Sequence, residues 1–231
     1  MKVRLSIGCV VFLVIAIPLS AAEDEDGTTA DLDSVLCRDC ARAILDEHRA
    51  SLSWGETGID YRALRFATAA QPGYPEDSER ARELMTALNA AKLTGDSQRI
   101  VAVSDSMLAL NYIDILAHVS AALAHRELGN AREWDFHGDL VRGLFHSIVY
   151  SGDGISLESA IRVVDEYEAY RYIVVLEWSL QAEERVALAD HEYLKVEVLT
   201  SESDVLTRYF DLDAAQKWLE VHCGQSDAAP N

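Results

Sequence analysis

The spacing of apolar residues changes at Ser151-Gly152-Asp153-Gly154, and this change divides the chain into two parts of different architecture. Before this tetrapeptide, apolar residues recur every three or four positions, which is typical of amphipathic helices. After it, apolar and polar residues alternate within Tyr193–Val198, which indicates a strand with one buried face. The sequence therefore predicts an α+β fold. A helical layer over residues 32–150 is followed, over residues 151–223, by a small antiparallel β-sheet and a C-terminal helix.

The length and composition of the chain fit one domain. Its 231 residues, 49% of them hydrophobic, can bury one sizeable core but hardly two. We assign residues 32–223 to this domain and expect residues 224–231 to form a loose tail.

Residues 1–22 have the pattern of a secretory signal peptide. Lys2 and Arg4 form a basic start, residues 5–18 are an almost uncharged apolar run, and small residues precede a cleavage site after Ala22. The apolar run is shorter than the roughly 20 residues that a membrane-spanning helix needs. We therefore expect an exported protein, periplasmic or extracellular, with no stable membrane anchor after processing.

The chain is strongly acidic. Its formal charge is −19, and loss of residues 1–22 would remove two basic residues and no acid, leaving 18 basic against 39 acidic residues and a charge of −21. Residues 23–31, which begin with four acidic residues, have the composition of a disordered leader. A field of this sign repels nucleic acid and anionic lipid and favours a basic peptide or protein partner.

Three cysteines remain after the predicted cleavage, namely Cys37, Cys40 and Cys223. In an oxidising compartment two of them are expected to pair, either Cys37 with Cys40 or one of these with Cys223. The C-x-x-C motif lacks the βαβ surroundings of a thioredoxin-type redox site, and the chain offers no second pair of ligands for a cysteine-based zinc site. We predict a structural disulfide, no metal and no cofactor.

Two glycine-containing pairs, Gly95-Asp96 and Gly129-Asn130, each separate two helical segments of about 15 residues. The glycine tolerates the left-handed conformation that closes a helix, and the polar residue after it accepts hydrogen bonds from the first N–H groups of the next helix. The pairs are 34 residues apart, which is the tetratricopeptide period. This spacing predicts tetratricopeptide-like helix pairs, although the full repeat consensus is absent. A plain helical bundle is the alternative.

The remaining elements are predicted from capping residues and periodicity. After the break we expect a strand over residues 159–165, a helix over 166–178, a meander of strands over 185–189, 192–199 and 205–212, and a last helix capped by Asp213.

Several segments carry a resemblance to a known family. They are Gly58–Arg65, Gly73–Pro75, Asp114–His118, His125–Gly129, His137, Ser147–Ser156 and Ala160–Val164. In this order, over roughly residues 59–219, they resemble the DUF4919 family of bacterial proteins of unknown function. Ile155 and Leu157-Glu158 depart from the family pattern, where a Lys and a Pro are expected. The resemblance implies the fold and an envelope location and adds no mechanism, because the family has no established activity.

A candidate polar cluster combines histidines with carboxylates. Its members are Asp114, His118, His125, His137, Ser151, Asp153 and Glu158. The first three share one face of a predicted helix, and His137 lies on the helix that should pack against it. Convergence of these residues near the break would suit zinc or a general base. The simpler interpretation is a set of hydrogen-bonded core histidines.

The tetrapeptide Ser151–Gly154 is best explained as a tight connector. It lacks the alternating oxygen ligands of a calcium loop, the lysine of a phosphate-binding loop and the surroundings of a nucleophile elbow. Its glycines supply positive φ angles, and Asp153 can bond the backbone.

The sequence favours a binding or scaffold module that holds a peptide or protein partner on the helical concavity or at the helix–sheet junction. One alternative is a metal-dependent or general-base hydrolase using His118, His137 and Asp153. Another is an acidic immunity or inhibitor protein that neutralises a basic partner. The chain lacks a catalytic signature, which argues against an enzyme without excluding one.

Overall fold

The structure of the chain is a computed structural model that describes residues 38–54, 58–71, 74, 79–189 and 191–223. The predicted signal peptide, the acidic leader, Cys37 and the predicted tail lie outside these residues. The side chains of Cys40 and Cys223 do too. The disulfide therefore stays a prediction.

The described residues form helices first and strands later, in the order that the sequence predicts. The elements are α1 (Arg38–Trp54), α2 (Tyr61–Ala69), α3 (Glu79–Thr94), α4 (Ser97–Leu110), α5 (Ile115–Glu127), α6 (Ala131–Val149), β1 (Ile161–Arg162), α7 (Glu166–Val175), β2 (Ser179–Leu188), β3 (His191–Leu199), β4 (Val205–Asp211) and α8 (Ala214–Cys223). Within these residues no helix is both long and apolar enough to cross a bilayer.

Aspartates cap the N-termini of four of the described helices. The side chain of Asp60 accepts two backbone N–H groups of α2 at 2.9 Å, and Asp96, Asp114 and Asp165 cap α4, α5 and α7 in the same way. Each cap gives a partner to donors that have none inside the helix, which stabilises the fold by about 1 kcal/mol.

Gly95 and Gly129 end α3 and α5, as their spacing predicts. Their φ angles are 67° and 77°, and the next residue, Asp96 or Asn130, donates its N–H to a carbonyl five residues back at 3.1 or 2.9 Å. The Asn130 side chain, in contrast, makes no cap hydrogen bond to α6. Its amide lies instead 3.2 Å from Nδ1 of His125.

Successive helices pack as neighbours from α3 to α6, and α2 lies against both α1 and α6. The larger hydrophobic core joins these helices to the sheet. Its fully buried members include Leu64, Leu140, Ile148, Val163, Val196 and Phe210. A smaller cluster around Leu88 and Met107 fixes α3 and α4. The helical layer is thus confirmed, whereas its tetratricopeptide likeness stays a prediction.

The sheet has the strand order β1-β4-β3-β2. Strands β2, β3 and β4 form the antiparallel meander that the sequence predicts, with Leu194 opposite Phe210 on the core side. Strand β1 adds to β4 in parallel, so the four-stranded sheet is mixed. Parallel strands cannot be joined by a short hairpin and need a long connection. Here the connection from β1 to β4 contains α7, β2 and β3.

The first strand of the meander begins at Ser179 rather than at Arg185. The prediction was wrong here because residues 179–184 contain only two apolar side chains, Leu180 and Ala182, too few to indicate a buried face. The strand has no such face, since nine of the ten β2 residues are exposed.

Candidate functional site

The helix–sheet junction contains a buried ion pair between Arg65 of α2 and Glu168 of α7. The Arg65 Nε and Nη2 atoms lie 2.8 and 2.5 Å from the two Glu168 carboxylate oxygens. The side chains are 0% and 6% exposed. This bidentate geometry is the strongest form of an arginine–carboxylate interaction. It ties α2 to the β part of the chain.

Further hydrogen bonds complete the pair. Arg65 also donates to Ser147 Oγ at 3.2 Å and to the Arg162 carbonyl at 2.9 Å. Glu168 accepts the Val164 N–H at 2.8 Å. A buried charge pair is tolerated only when its remaining donors and acceptors have partners, as they have here. The network joins α2, α6, α7 and the segment around β1 at one point.

Asp165 adds a second carboxyl group beside this network. It accepts the Glu168 N–H at 2.7 Å and a hydrogen bond from the Tyr74 hydroxyl. Burial raises the pKa of Asp165 to about 6; the nearby Glu168 charge also raises it, whereas the two hydrogen bonds lower it. Burial likewise raises the pKa of Tyr74. With a pKa of about 6, the Asp165 carboxyl group changes its protonation state close to neutral pH.

The tetrapeptide Ser151–Gly154 connects α6 to β1. Gly154 has a φ of 67°, and a Cβ on Gly152 would overlap the carbonyls of Ser159 and Ala160. Both glycines are therefore required by the local backbone.

The polar residues of this connector bind the backbone. Ser151 Oγ accepts the Arg162 N–H at 2.9 Å, and Asp153 accepts the Ile155 N–H at 2.9 Å. A hydrogen bond from the Ser159 hydroxyl is the main cause that lowers the pKa of Asp153. These contacts make Ser151 and Asp153 part of the connector.

Three histidines meet between α5 and α6. Nδ1 of His118 lies 2.8 Å from Nδ1 of His137, and the His125 ring stacks on the His137 ring with centroids 5.6 Å apart. Their exposed fractions are 0% for His118, 7% for His137 and 9% for His125. The cluster is almost completely enclosed.

The hydrogen bonds fix the protonation of this cluster. Nε2 of His118 lies 2.9 Å from the Tyr112 carbonyl, which only accepts, so Nε2 carries the proton and Nδ1 has a free lone pair. Nδ1 of His137 then donates to it. Burial is the main cause that lowers the pKa of His118 to about 3 and that of His137 to about 4. Both rings are neutral at pH 7.

The segments of the family resemblance supply this geometry. Arg65 ends one of them, Tyr74 lies in the second, and Ser147 begins the segment that contains the connector. Residues 56–220 match the family described as "Domain of unknown function (DUF4919)". The chain belongs to the DUF4919 family. The matched range agrees with the resemblance over roughly residues 59–219. Comparisons with curated proteins and with solved structures found no match.

The DUF4919 domain brings three of the seven candidate residues together and keeps the others apart. Asp114 caps α5 and pairs with Arg171 at 3.2 Å instead of joining the histidines. His137 and Ser151 are 14 residues apart along α6 and its end, a separation of about 20 Å. Asp153 and Glu158 make their hydrogen bonds within the connector segment, to Ser159 and Ser156. The expected convergence of all seven residues does not occur, because His137 lies in the first half of α6 whereas Ser151 follows its last turn.

A second polar group lies where β3, β4 and α8 meet. Among the described residues of the DUF4919 domain, His191, Asp211 and Asp213 form the one group of three metal-type ligands within 4.8 Å of each other. The Lys217 ammonium contacts the His191 ring and lies 3.5 Å from Asp213. Since a lysine already supplies positive charge, this group holds α8 against the sheet.

Strand β2 forms an edge of the DUF4919 sheet. No strand among the described residues pairs with its outer side. Its centre carries Glu183 and Glu184, and Arg185 next to them forms an ion pair with Glu166 at 2.7 Å. A row of unpaired backbone N–H and C=O groups of this kind can receive a further strand.

Sequence reasoning did not single out Arg65, Tyr74, Asp165 or Glu168 as site residues. The one signal for them was indirect: Arg65 and Tyr74 lie in segments that carry the DUF4919 resemblance. A charged residue on a helix is usually exposed to solvent. The burial of Arg65 depends on its partner Glu168, which lies 103 residues later in the sequence and is brought beside it only by the fold.

Proposed function

We propose that this chain is an exported binding module that holds a basic, extended peptide segment along the outer edge of β2. The observation that carries the proposal is the position of β2 at the edge of the sheet, with nine of its ten residues exposed. Peptides that add as a strand gain affinity from backbone hydrogen bonds and specificity from alternate side chains.

The charge of this edge favours a basic partner. Glu183 and Glu184 lie at its centre, with Glu177 exposed just before it. Arg185 is paired with Glu166, and Glu184 is paired with the Lys195 ammonium at 3.3 Å. Glu177 and Glu183 therefore leave a net negative charge at the edge for an incoming segment. The formal charge of −19 adds long-range attraction for a basic peptide.

A second copy of the chain fits this edge less well. Antiparallel pairing of two β2 strands about Glu184 would place one Glu184 opposite the other. Like charges directly opposite each other destabilise a strand pair, and two chains of this net charge repel. The irregularity between Leu180 and Ala182 also interrupts the regular ladder.

Binding can be tested with a synthetic peptide of the length of β2 in which Val and Lys alternate. We expect the purified chain to bind it in a salt-sensitive manner, with affinity reduced about tenfold when Glu183→Gln and Glu184→Gln remove two charges. The matched control removes Glu79 and Glu83 on α3, which are also exposed. It should leave the affinity within about twofold.

Two further peptides separate strand addition from simple charge attraction. A peptide with Glu in place of Lys should not bind, and one with a central Pro should lose affinity because proline has no N–H to donate. Equal affinity for the Val/Lys and proline peptides, or no binding of either, would remove the basis of the proposal.

Export is tested independently by expression with the native N-terminus in a bacterial host that has a periplasm. We expect a periplasmic product whose intact mass lacks residues 1–22. Ala22→Arg at the residue before the cleavage site should block processing, whereas Ala21→Arg should be tolerated. A full-length cytoplasmic product would contradict export.

The alternative of a hydrolase that uses His118, His137 and Asp153 has no support from their positions, since Asp153 bonds Ile155 and Ser159 within the connector and the His118 and His137 rings are almost completely enclosed. The alternative of an acidic inhibitor differs from the main proposal only in its partner, which would be a folded basic protein.

A further inference from the structure

We propose that the peptide held at the edge of β2 lies in a groove between β2 and α7, with one basic and one aliphatic side chain turned towards α7. This inference rests on the proposed function, because it concerns the same edge of the sheet. It assigns the choice of peptide to Glu183, which would hold the basic side chain, and to Val174 and Leu180, which would hold the aliphatic one.

Helix α7 lies alongside β2 and contacts it at two points. The Tyr170 hydroxyl donates to Glu183 at 3.0 Å, and Glu166 pairs with Arg185 at 2.7 Å. The second contact lies four residues earlier on the helix and two residues later on the strand. These steps are nearly equal, about 6 Å along a helix and about 6.7 Å along a strand. The helix and the strand therefore run antiparallel, with side chains at matching intervals.

The register of β2 shows which of its side chains lie on the α7 side. Glu183 is opposite Val196 and Leu180 is opposite Val198, and both valines are completely buried in the core. Side chains of directly opposite residues lie on the same face of a sheet. Glu183 and Leu180 are therefore both on the core side, and the contact of Glu183 with Tyr170 shows that α7 lies on this side.

The groove is acidic at Glu183. Its neighbour Glu184 is opposite Lys195 on the other face of the sheet and pairs with that lysine at 3.3 Å. Among the described residues, Glu183 has the neutral Tyr170 hydroxyl as its hydrogen-bond partner. Burial, followed by this hydrogen bond, raises the pKa of Tyr170 to about 12, so the hydroxyl keeps its proton at neutral pH. A hydroxyl group orients a carboxylate without cancelling its charge, which leaves that charge for an incoming lysine or arginine.

The groove becomes apolar one step further along both elements. Val174 follows Tyr170 by four residues on α7 and is 52% exposed. Leu180 precedes Glu183 on the same side of β2 and is 41% exposed. An added strand would remove apolar surface of both residues from water, which favours an aliphatic side chain at this point. Since side chains two residues apart share a face of a strand, this side chain should lie two residues from the basic one.

Two peptides of identical composition test this arrangement. Both are chains of Thr and Ser of about the length of β2, with blocked ends, one central Lys and two Val residues. In the same-face peptide each Val is two positions from the Lys, and in the opposite-face peptide each Val is next to it. A Val on both sides of the Lys makes the result independent of the direction of the peptide. We expect the purified chain to bind the same-face peptide about fivefold more tightly in a nuclear magnetic resonance titration.

Variants assign the two preferences to their residues. Glu183→Gln should weaken the binding of both peptides about fivefold, because both carry the Lys. Val174→Thr should weaken only the same-face peptide, by about threefold. The matched controls are Glu197→Gln on β3 and Val205→Thr on β4, both at exposed positions on the other face of the sheet. They should leave both affinities within about twofold of the parent.

The outcomes separate this inference from the proposed function. If the parent binds the alternating Val/Lys peptide but binds the two matched peptides equally, the groove is wrong and strand addition at β2 stands. The groove is also wrong if Glu197→Gln weakens binding as much as Glu183→Gln. Binding of no peptide by the parent overturns both proposals. A dimer of the chain that Val174→Thr dissociates in analytical ultracentrifugation would place a second copy in the groove and overturn the inference.

Discussion

A methyl group at position 143 would overlap the ring of Tyr61, because α6 passes directly over this ring. Gly143→Ala should therefore destabilise the fold by about 1–3 kcal/mol despite the better helix propensity of alanine. Gly138, on the same helix, has nothing within 4 Å of an added Cβ. Gly138→Ala should be neutral or stabilise by up to about 1 kcal/mol. Urea unfolding of both variants measures the difference, and equal effects would contradict the close contact.

The ion pair of Arg65 and Glu168 makes a second prediction about single residues. Glu168→Gln leaves the Arg65 charge buried without its counterion, so we expect the free energy of unfolding to fall by about 3–5 kcal/mol. Glu83→Gln breaks an exposed pair with Arg80 of 3.2 Å and should cost less than about 1 kcal/mol.

A double variant separates the charge from the loss of packing. Arg65→Met together with Glu168→Leu removes both charges and should recover part of the stability that Glu168→Gln loses. If Glu168→Gln were no worse than Glu83→Gln in urea unfolding, the buried pair would not be a major contributor.

Residue-level prediction succeeded where the signal is local. The spacing of His118 and His125 places them on one face of α5, and His137 lies beside them on the next helix, which was expected to pack there. The role of Asp114 was wrong for a physical reason. The helix begins at Ile115, so Asp114 is its N-cap and lies before the first turn of α5. Its carboxylate pairs with Arg171 instead of the histidines. A cap and a first-turn residue differ by one position, which periodicity does not resolve.

At the level of elements, glycines and capping aspartates allowed most boundaries to be predicted. Gly95 and Gly129 adopt positive φ, and the helices that follow them begin at Ser97 and Ala131. The length of β2 and the parallel placement of β1 could not be predicted. An exposed edge strand has no buried face to give it a period. A parallel neighbour depends on a contact with β4, about 50 residues later.

Strand β2 should be less protected than β3 in hydrogen exchange. Strand β3 is bonded on both sides, by β2 and β4, whereas the outward N–H groups of β2 face solvent. Mass spectrometry of deuterated peptides should therefore show faster exchange over Ser179–Leu188 than over His191–Leu199. Addition of the Val/Lys peptide should slow exchange in β2 while α4 stays unchanged. Equal protection of β2 and β3 in the free chain would mean that another segment covers the edge.

At the level of the whole molecule, the Arg65 network connects the helical layer to the β part. It places Asp165 next to a buried ion pair, where the carboxyl group is poorly solvated. The histidine cluster lies elsewhere, between α5 and α6, and is also buried. The stability of the chain therefore depends on pH through two separate buried groups.

These groups act in opposite directions. Burial lowers the pKa of His118 to about 3 and that of His137 to about 4, so the unfolded chain takes up these protons first. Their contribution is present above pH 6.5 and is lost as the pH falls towards 3. Burial raises the pKa of Asp165 to about 6, so the folded chain takes up this proton first. Its contribution is present below pH 3.8 and is lost as the pH rises through 6.

Asp165→Asn isolates the second effect. Asparagine can still accept the Glu168 N–H but does not ionise, so the variant lacks the loss of stability that the parent suffers between pH 3.8 and 6. The stability of the variant relative to the parent should therefore rise with pH in this range, by at most about 1.4 kcal/mol per pH unit. Urea unfolding in the presence of a chelator, at several pH values from about 4 to 7, measures this difference. Asp135→Asn, at an exposed position on α6, is the matched control for the loss of a carboxylate. A difference for Asp165→Asn that does not change with pH would show that its carboxyl group is solvated in the folded chain, and that the junction tolerates its charge at neutral pH without cost.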